Sequence, residues 1–236
     1  NRQSNATFVD GNGIVRTSYK NWITNSEAIT NSNYGGSSML LSTNSTDTNF
    51  IAPDGTFTAS KARPGNANAH HFFFQQTPTD LTNGTVSIFA KAGELSHISV
   101  ISQPLNNNTT ESRGVSFDLS TGTIHDSYKA TGEIIDVGNG WYRCICKPDT
   151  HAAGNRHAFS LFDVHDGSTP NPNNRFRVTR AGNTSDGAYV WGVMMTNDNT
   201  NAGDYYKTTG TASGPPRYSH DPETLTPTGL YLEPAA

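Results

Sequence analysis

The sequence predicts an all-β protein, a β-sandwich or jelly roll of two antiparallel sheets. Its composition, with 30 Thr, 24 Asn and 22 Gly among 236 residues, favours strands and turns, because these residues are poor helix formers. Short apolar segments recur along the chain between Gly, Asn, Pro or Asp residues, and none keeps a helical period over about eleven residues. Regularly spaced strands with turns between them are typical of a sandwich.

Alternating apolar and polar residues mark the individual strands. In GVSFDLSTG, Val115, Phe117 and Leu119 alternate with polar residues before a Ser-Thr-Gly turn. This period of two predicts a half-buried strand that buries Phe117. The same rhythm predicts further strands in TVSIFAKAG, SHISVIS, WYRCICK, HAFSLFDV, RFRVTR and AYVWGVMM.

The segment DVGNGWYRCICK, residues 136–147, combines a glycine turn with both cysteines of the chain. The Gly-Asn-Gly sequence provides positions for positive φ, and Asp136 is suited to accept a hydrogen bond from the turn backbone. Cys144 and Cys146 share one side of a strand, about 6.6 Å apart along it, which suits a disulfide poorly. A zinc site would need two more ligands. We therefore expect free, inward-facing thiols that fill the core.

The two tryptophans of the later strands lie on defined faces. In WYRCICK, Trp141 shares a face with Arg143 and Lys147, so the two cations are expected to face solvent. The indole N–H of Trp141 is expected to find a partner where the strand begins. In AYVWGVMM the corresponding face consists of Tyr189, Trp191, Val193 and Met195. A packed core is favoured for this face over a sugar-stacking platform.

Charge and hydropathy narrow the classes of partner. The 16 Lys and Arg against 20 Asp and Glu give a formal net charge of −4, which provides no basic surface for nucleic acid. No apolar run approaches the ~20 residues of a membrane span. We therefore expect neither nucleic-acid binding nor membrane insertion.

The segment LFDVHDG is the strongest candidate for catalysis or metal binding. Asp163 and His165 share a strand face, where they would supply a base with its orienting carboxylate, or two metal ligands. The same residues are equally typical of a strand's exit turn, and no nucleophile accompanies them. His70 and His71 are adjacent and face opposite sides of their strand, so ordinary surface roles are expected. We predict no catalytic residue, no metal site and no cofactor.

Several segments, in order along the chain, carry a family resemblance. They are NWITNSEAITNSNY (21–34), PDGTFTASKA (53–62), TVSIFAKAG (85–93), FDLSTGTI (117–124), DVGNGWYRCIC (136–146), and AYVWGVMM with AGDYYKTTGT (188–211). Together they resemble a carbohydrate-binding-module-like jelly roll of bacteriophage tail fibre, spike and head-associated proteins, with Trp22 replacing the usual aliphatic residue of the opening segment. PPRYSHDPETLTPTGLYLEP (215–234) resembles the connector that borders such modules.

This resemblance implies a non-enzymatic virion structural protein at the particle surface, such as a head decoration, fibre or tail component. It divides the chain into an N-terminal arm (1–20), a jelly roll (21–212) and a Pro-rich connector or C-terminal arm (213–236). The implied partners are capsid or tail subunits and further copies of the chain in a homo-oligomer. A module that binds host-surface polysaccharide is the alternative, and a polysaccharide-degrading enzyme is a third hypothesis.

Two further expectations accompany these hypotheses. For the polysaccharide-binding alternative, Trp191, Tyr128 and Gln75 are the predicted glycan contacts, because their types commonly hold sugars. The last 26 residues contain five of the twelve prolines, and each proline removes a backbone donor and disfavours helix before it. The segment also contains apolar residues such as Tyr218 and Leu225, so we expect an extended arm ordered against a neighbouring subunit or virion protein.

Overall fold

A computed structural model describes residues 6–9, 13–81, 84–104, 111–149, 157–198, 200–214, 218–221 and 223–230. These residues form β-strands and two short 3-10 helices, with no α-helix among them. The predicted all-β class is confirmed. In this part of the chain no helix is long and apolar enough to cross a membrane.

Two six-stranded antiparallel sheets pack together as a β-sandwich consistent with a jelly roll. Sheet I contains, in spatial order, β11 (Thr123–Tyr128), β10 (Arg113–Asp118), β9 (His97–Pro104), β14 (His157–His165), β7 (Phe72–Leu81) and β3 (Gly35–Ser37). Sheet II contains β12 (Ala130–Gly138), β13 (Trp141–Pro148), β8 (Val86–Lys91), β16 (Ala188–Met195), β5 (Ser60–Pro64) and β4 (Met39–Thr43). The chain passes repeatedly between the two sheets.

Three two-stranded antiparallel pairs lie outside these sheets. They are β1 (Ala6–Val9) with β2 (Val15–Ser18), β6 (Asn68–His70) with β15 (Thr179–Ala181), and β17 (Tyr218–His220) with β18 (Pro227–Leu230). The 3-10 helices are η1 (Thr48–Phe50) and η2 (Pro172–Asn174). Each begins after a side chain that accepts a backbone N–H, Asp47 for η1 and Asn171 for η2, which satisfies a donor at the helix start.

The main core lies between the sheets. Phe73 of β7 and Phe162 of β14 stack at 5.0 Å between ring centroids, and Phe117 of β10 is fully buried in the same core. Cys144 and Cys146 of β13 are free and buried in the same core. The prediction that these thiols are inward-facing packing residues is confirmed.

The turn before β13 also follows its sequence. Gly138, Asn139 and Gly140 all have positive φ, between 55° and 88°. The Gly138 N–H donates to Asp136 Oδ1 at 2.8 Å, as the sequence predicted. The turn therefore sets the start of β13 at Trp141.

A second apolar cluster covers the outer face of sheet II. It consists of Phe50, Ala52, Ala59, Phe89, Trp141, Tyr189 and Trp191, with Tyr205 packed against them. The Trp141 indole N–H donates to the Ile51 carbonyl at 3.0 Å, which confirms its predicted partner. The solvent-facing position expected for Arg143 is wrong, because residues 203–205 cover it and it donates to the Gly203 carbonyl at 2.7 Å.

A β-bulge in β16 changes the predicted face of this strand. Gly192 has a φ of +61°, and the pairing with β8 shifts register between Trp191 and Met194. The extra residue reverses the alternation beyond Gly192. Trp191 therefore faces outward while Val193 and Met195 join the main core, so the single face predicted for them is incorrect.

Asn21 and Ser213, where the chain enters and leaves the sandwich, lie side by side. The Asn21 N–H donates to the Ser213 carbonyl at 2.9 Å, and the Ser213 N–H donates back to the Asn21 carbonyl at 3.1 Å. The Asn21 amide also donates to the carbonyls of Val193 and Tyr206 at 3.0 and 2.9 Å. These bonds close residues 21–213 into one unit.

The segments predicted as arms contain the terminal hairpins. Strand β17 lies beside β1, and the β17–β18 loop is ordered by the Asp221 carboxylate, which accepts from the N–H groups of Glu223 and Thr224. Residues 1–5, 10–12, 215–217, 222 and 231–236 of the predicted arms lie outside the described residues. The assembly role of the C-terminal arm stays a prediction.

Candidate functional site

The three predicted glycan contacts lie on different surfaces. Trp191, on the outer face of sheet II, is only 4% exposed and donates its indole N–H to Thr58 Oγ1 at 2.8 Å. The Tyr128 ring, on the outer face of sheet I, stacks on Phe176. Gln75 is buried at β7 and accepts the Thr24 N–H at 2.7 Å. The fold therefore brings no two of them together.

Asp163 and His165 share the outer face of sheet I as predicted, but both are buried. His165 Nε2 lies 3.2 Å from Ser99 Oγ and 3.0 Å from Ser116 Oγ. Burial, followed by the imidazoles of His97 and His125, lowers the pKa of His165 to about 3. Because Ser116 is buried, the strand β10 is covered on both faces rather than half-buried as predicted.

The contact between His165 and the two serines resembles a nucleophile with its base, but the hydrogen bond at the other ring nitrogen assigns the imidazole proton to Nε2. The Gly167 N–H donates to His165 Nδ1 at 3.3 Å. A neutral imidazole that accepts at Nδ1 carries its proton at Nε2, so it donates to a serine oxygen and does not deprotonate a hydroxyl. The network instead connects β9, β10 and β14.

Three imidazoles meet at this end of sheet I. The ring centroids of His97 and His125 are 4.8 Å apart, and those of His97 and His165 are 5.4 Å apart. His97 Nε2 also lies 3.9 Å from an Asp118 carboxylate oxygen. Over the described residues, no group of three or more His, Cys, Asp or Glu side chains is arranged to hold a metal ion.

Asp163 is a buried carboxyl beside this network. Its Oδ2 accepts the Val178 N–H at 2.9 Å, while its buried Oδ1 has no hydrogen-bond partner among the described residues. Burial raises the pKa of Asp163 to about 7, against the opposing effects of the Val178 bond and of Arg180 and Arg177. The carboxyl is therefore only partly ionised at neutral pH.

The expectation that His71 is a surface residue is wrong. The imidazole is buried, with Nδ1 2.8 Å from the Ser38 carbonyl and Nε2 3.0 Å from the Arg180 carbonyl. These contacts connect β7 with the segments before β4 and after β14. His70, by contrast, is partly exposed, and its Nδ1 lies 3.2 Å from the Val178 carbonyl.

Thiol reagents are expected to label Cys144 and Cys146 slowly in the native protein. Burial raises the pKa of both thiols, and the thiolate is the reactive form. Labelling with a chromogenic disulfide should be at least about 100-fold faster in denaturant than in native buffer, because both exclusion and the raised pKa act together. Rapid native labelling of both thiols would contradict their burial.

A cavity of about 320 Å³ opens on the outer face of sheet I. Its walls are Phe72, Phe74, Phe159 and Leu161, and its polar lining is Gln103, Arg175 and Arg177. The aromatic walls come from β7 and β14, because the alternation that points Phe73 and Phe162 into the core points their neighbours outward. An apolar pocket with a few polar groups is the usual form of a small-ligand site.

The guanidinium group of Arg177 is the unusual feature of this pocket. Arg177 is 4% exposed, and its Nε is buried with no hydrogen-bond partner among the described residues. Its guanidinium lies over the Phe72 ring, 4.6 Å from the centroid. Burial, and then the like charge of Arg175, lowers the pKa of Arg177 to about 10. The protein thus holds two cations close together beside an apolar cavity.

The backbone beside the cavity has an unusual conformation. Arg175 and Phe176 have φ values of +59° and +53°, a region in which residues other than glycine are uncommon. The strand predicted over RFRVTR is therefore wrong for residues 175–178, and only its last two residues belong to β15. Consecutive left-handed residues carry strain that tends to occur at functional sites.

The pocket was not predicted from the sequence, although one signal points toward it. In HHFFFQQ three consecutive phenylalanines must face both sides of their strand, so an apolar outer surface needs a cover. The cover comes from residues 175–178, about one hundred positions later in the chain. No local pattern links the two segments, because the contact arises only in the folded sheet.

A second cavity, of about 340 Å³, lies at the edge of sheet II, between η1 and the turn before β13. Its cation, Lys91, already donates to the Asn49 carbonyl at 2.8 Å and lies 5.3 Å from the Trp141 ring centroid. Lys91 therefore serves to fix η1 against the sheet.

A scan against protein-family models finds no matching model, and a search of curated proteins finds no match either.

Proposed function

We propose that the chain is a non-enzymatic structural protein of a bacteriophage particle, built around a carbohydrate-binding-module-like jelly roll. The family resemblance rests on segments that are far apart in the sequence. One observation carries the proposal: two of these segments, residues 21–34 and 202–211, bond directly to each other through buried polar groups.

The bonds between the two segments join side chains and backbone groups of both. Ser26 Oγ accepts both the Thr208 N–H and the Tyr205 hydroxyl at 2.8 Å. Glu27 pairs with Lys207, and Thr208 Oγ1 donates to the Ile23 carbonyl at 2.6 Å. Each segment satisfies polar groups that the other buries, which supports treating the two as parts of one module.

The chemistry of the buried polar groups favours a role without catalysis. The serines nearest a histidine are buried, and the His165 tautomer is unsuited to activate them. The proposed partners are capsid or tail subunits and further copies of the chain at the particle surface. Host-surface polysaccharide binding is the weaker alternative, because Trp191, Tyr128 and Gln75 share no surface.

Truncation after Gly214 is expected to separate folding from assembly. The truncated chain keeps the bonds between Asn21 and Ser213, so its melting temperature should stay within about 2 °C of the full chain. Its incorporation into particles should be lost or strongly reduced. The measurement is an immunoblot of purified particles, assembled in cells that lack the native copy and receive either the full or the truncated chain.

Two results would count against this proposal. If the truncated chain unfolds, or enters particles as well as the full chain does, residues 215–236 have no separate assembly role. If even the full chain is absent from purified particles, the virion assignment itself is wrong. The full-length complementation serves as the control for expression and assembly.

A further inference from the structure

We propose that the cavity on the outer face of sheet I binds a small aromatic carboxylate, with the carboxylate group on Arg177 and Arg175 and the ring against the phenylalanines that line the cavity. This inference goes beyond the virion role and does not depend on it. It follows from the size of the cavity, the charge at its edge, the rigidity of that edge and the apolar character of its walls.

The charge at the cavity calls for an anion. The guanidinium carbon of Arg177 lies over the Phe72 ring, 4.6 Å from its centroid. Its Nε has no hydrogen-bond partner among the described residues. Buried charged donors are normally paired, and a guanidinium fork matches the two oxygens of a carboxylate. Arg175 adds a second positive charge at the same cavity.

Asp163 is the carboxyl group whose charge acts on the pKa of Arg177. Its Oδ2 is occupied by the Val178 N–H, and no hydrogen bond joins it to Arg177 in the described part of the chain. Its burial keeps it partly protonated at neutral pH. Asp163 therefore leaves the Arg177 Nε donor without an acceptor in the described part of the chain.

The position of the two arginines is fixed by packing between them. Phe176 is buried against Ile101 and Leu161, and its ring lies where a side chain at position 114 would stand. A Cβ on Gly114 would come within 2.3 Å of Phe176 Cδ1. The anchored ring holds Arg175 and Arg177 on either side in a preorganised arrangement, which lowers the entropic cost of binding.

The walls select the body of the ligand. Phe74 and Phe159 meet edge to face at 5.5 Å between centroids, and Leu161 lines the cavity beside them. Among the described residues of the lining, Gln103 is the one polar side chain besides the arginines. A sugar would leave several hydroxyl groups without partners in such a pocket, whereas an aromatic ring gains from contact with the phenylalanine edges. The volume of about 320 Å³ suits a single ring with a short acidic arm.

The test is a titration of the full chain with phenylacetate, in which calorimetry or ligand-detected NMR measures binding. Phenylacetamide, the neutral analogue of the same shape, and glucuronate, an acid with a polar ring, are the matched ligands. Phenylacetate should bind at least about tenfold more tightly than either one, because each analogue lacks one of the two matched features. Equal binding of the amide, or tighter binding of glucuronate, would overturn the proposal.

Variants locate the site. Arg177→Gln should weaken phenylacetate binding by at least about tenfold, whereas Arg63→Gln, the same change on sheet II, should leave it unchanged. Arg175→Gln provides an independent test at the partly exposed edge if Arg177→Gln does not fold. Unchanged affinity in a folded variant at position 177 or 175 would show that the acid binds elsewhere.

Discussion

Replacing Phe117 by alanine is expected to lower the free energy of unfolding by about 3 kcal/mol. The side chain is 0% exposed and packs in the main core between the sheets, and removal of a buried aromatic side chain usually loses this much through lost burial and an unfilled cavity. Equilibrium unfolding in denaturant measures the effect directly, with an unchanged slope indicating that the denatured state is the same.

Phe57→Ala is the matched control for this experiment. It makes the same chemical change at a side chain that is 42% exposed, where substitutions commonly change stability by less than about 0.5 kcal/mol. If Phe117→Ala melted within about 2 °C of the unmodified protein, the packing of β10 against sheet II would not be as described.

The protein is expected to lose stability as the pH falls below about 6.5, and His165 should account for a large share. The folded-state pKa of His165 is about 3, whereas an unfolded histidine has a pKa of about 6.5. Between these values the unfolded chain binds a proton that the folded chain rejects, so acid favours unfolding. The contribution should approach about 3 kcal/mol at pH 4.

Two variants separate this effect from general acid denaturation. His165→Gln should flatten the change in unfolding free energy between pH 6.5 and pH 4. Asp163→Asn tests a pH dependence of the opposite sign. The pKa of Asp163 is raised to about 7 in the folded protein, so its protonated carboxyl stabilises the fold at low pH. This stabilisation is lost as the pH rises through 7. Asp163→Asn should therefore gain stability, relative to the unmodified protein, as the pH increases from 4 to 8. A His165→Gln profile that parallels the unmodified one would contradict the assigned pKa.

Local sequence patterns predicted the fold class and much of its detail. The predictions that were wrong concern residues whose surroundings are set by contacts with distant parts of the chain. The turn at 138–140 and the inward cysteines follow from residues within one hairpin. Arg143 was placed at the surface because its cover, residues 203–205, lies sixty positions away. An alternating strand cannot reveal which of its faces a distant segment will bury.

The candidate pocket shows the same limit more strongly. Its walls come from β7 and β14, and its charges come from a turn with two left-handed residues. The sequence RFRVTR has the composition of a strand, so its period predicted one. The left-handed turn depends on the fit of Phe176 against Gly114 of β10. The sequence of the RFRVTR segment alone cannot predict this contact.

The closure of the sandwich at Asn21 and Ser213 has a mechanical consequence. Because the two backbone bonds lie side by side where the chain enters and leaves, tension between the flanking segments would peel them apart before it reached either sheet. The sandwich would then act as a lobe beside the line of force rather than as a link within it. A protein attached through these flanking segments is suited to lateral contact with its neighbours and is poorly suited to bear tension along a fibre.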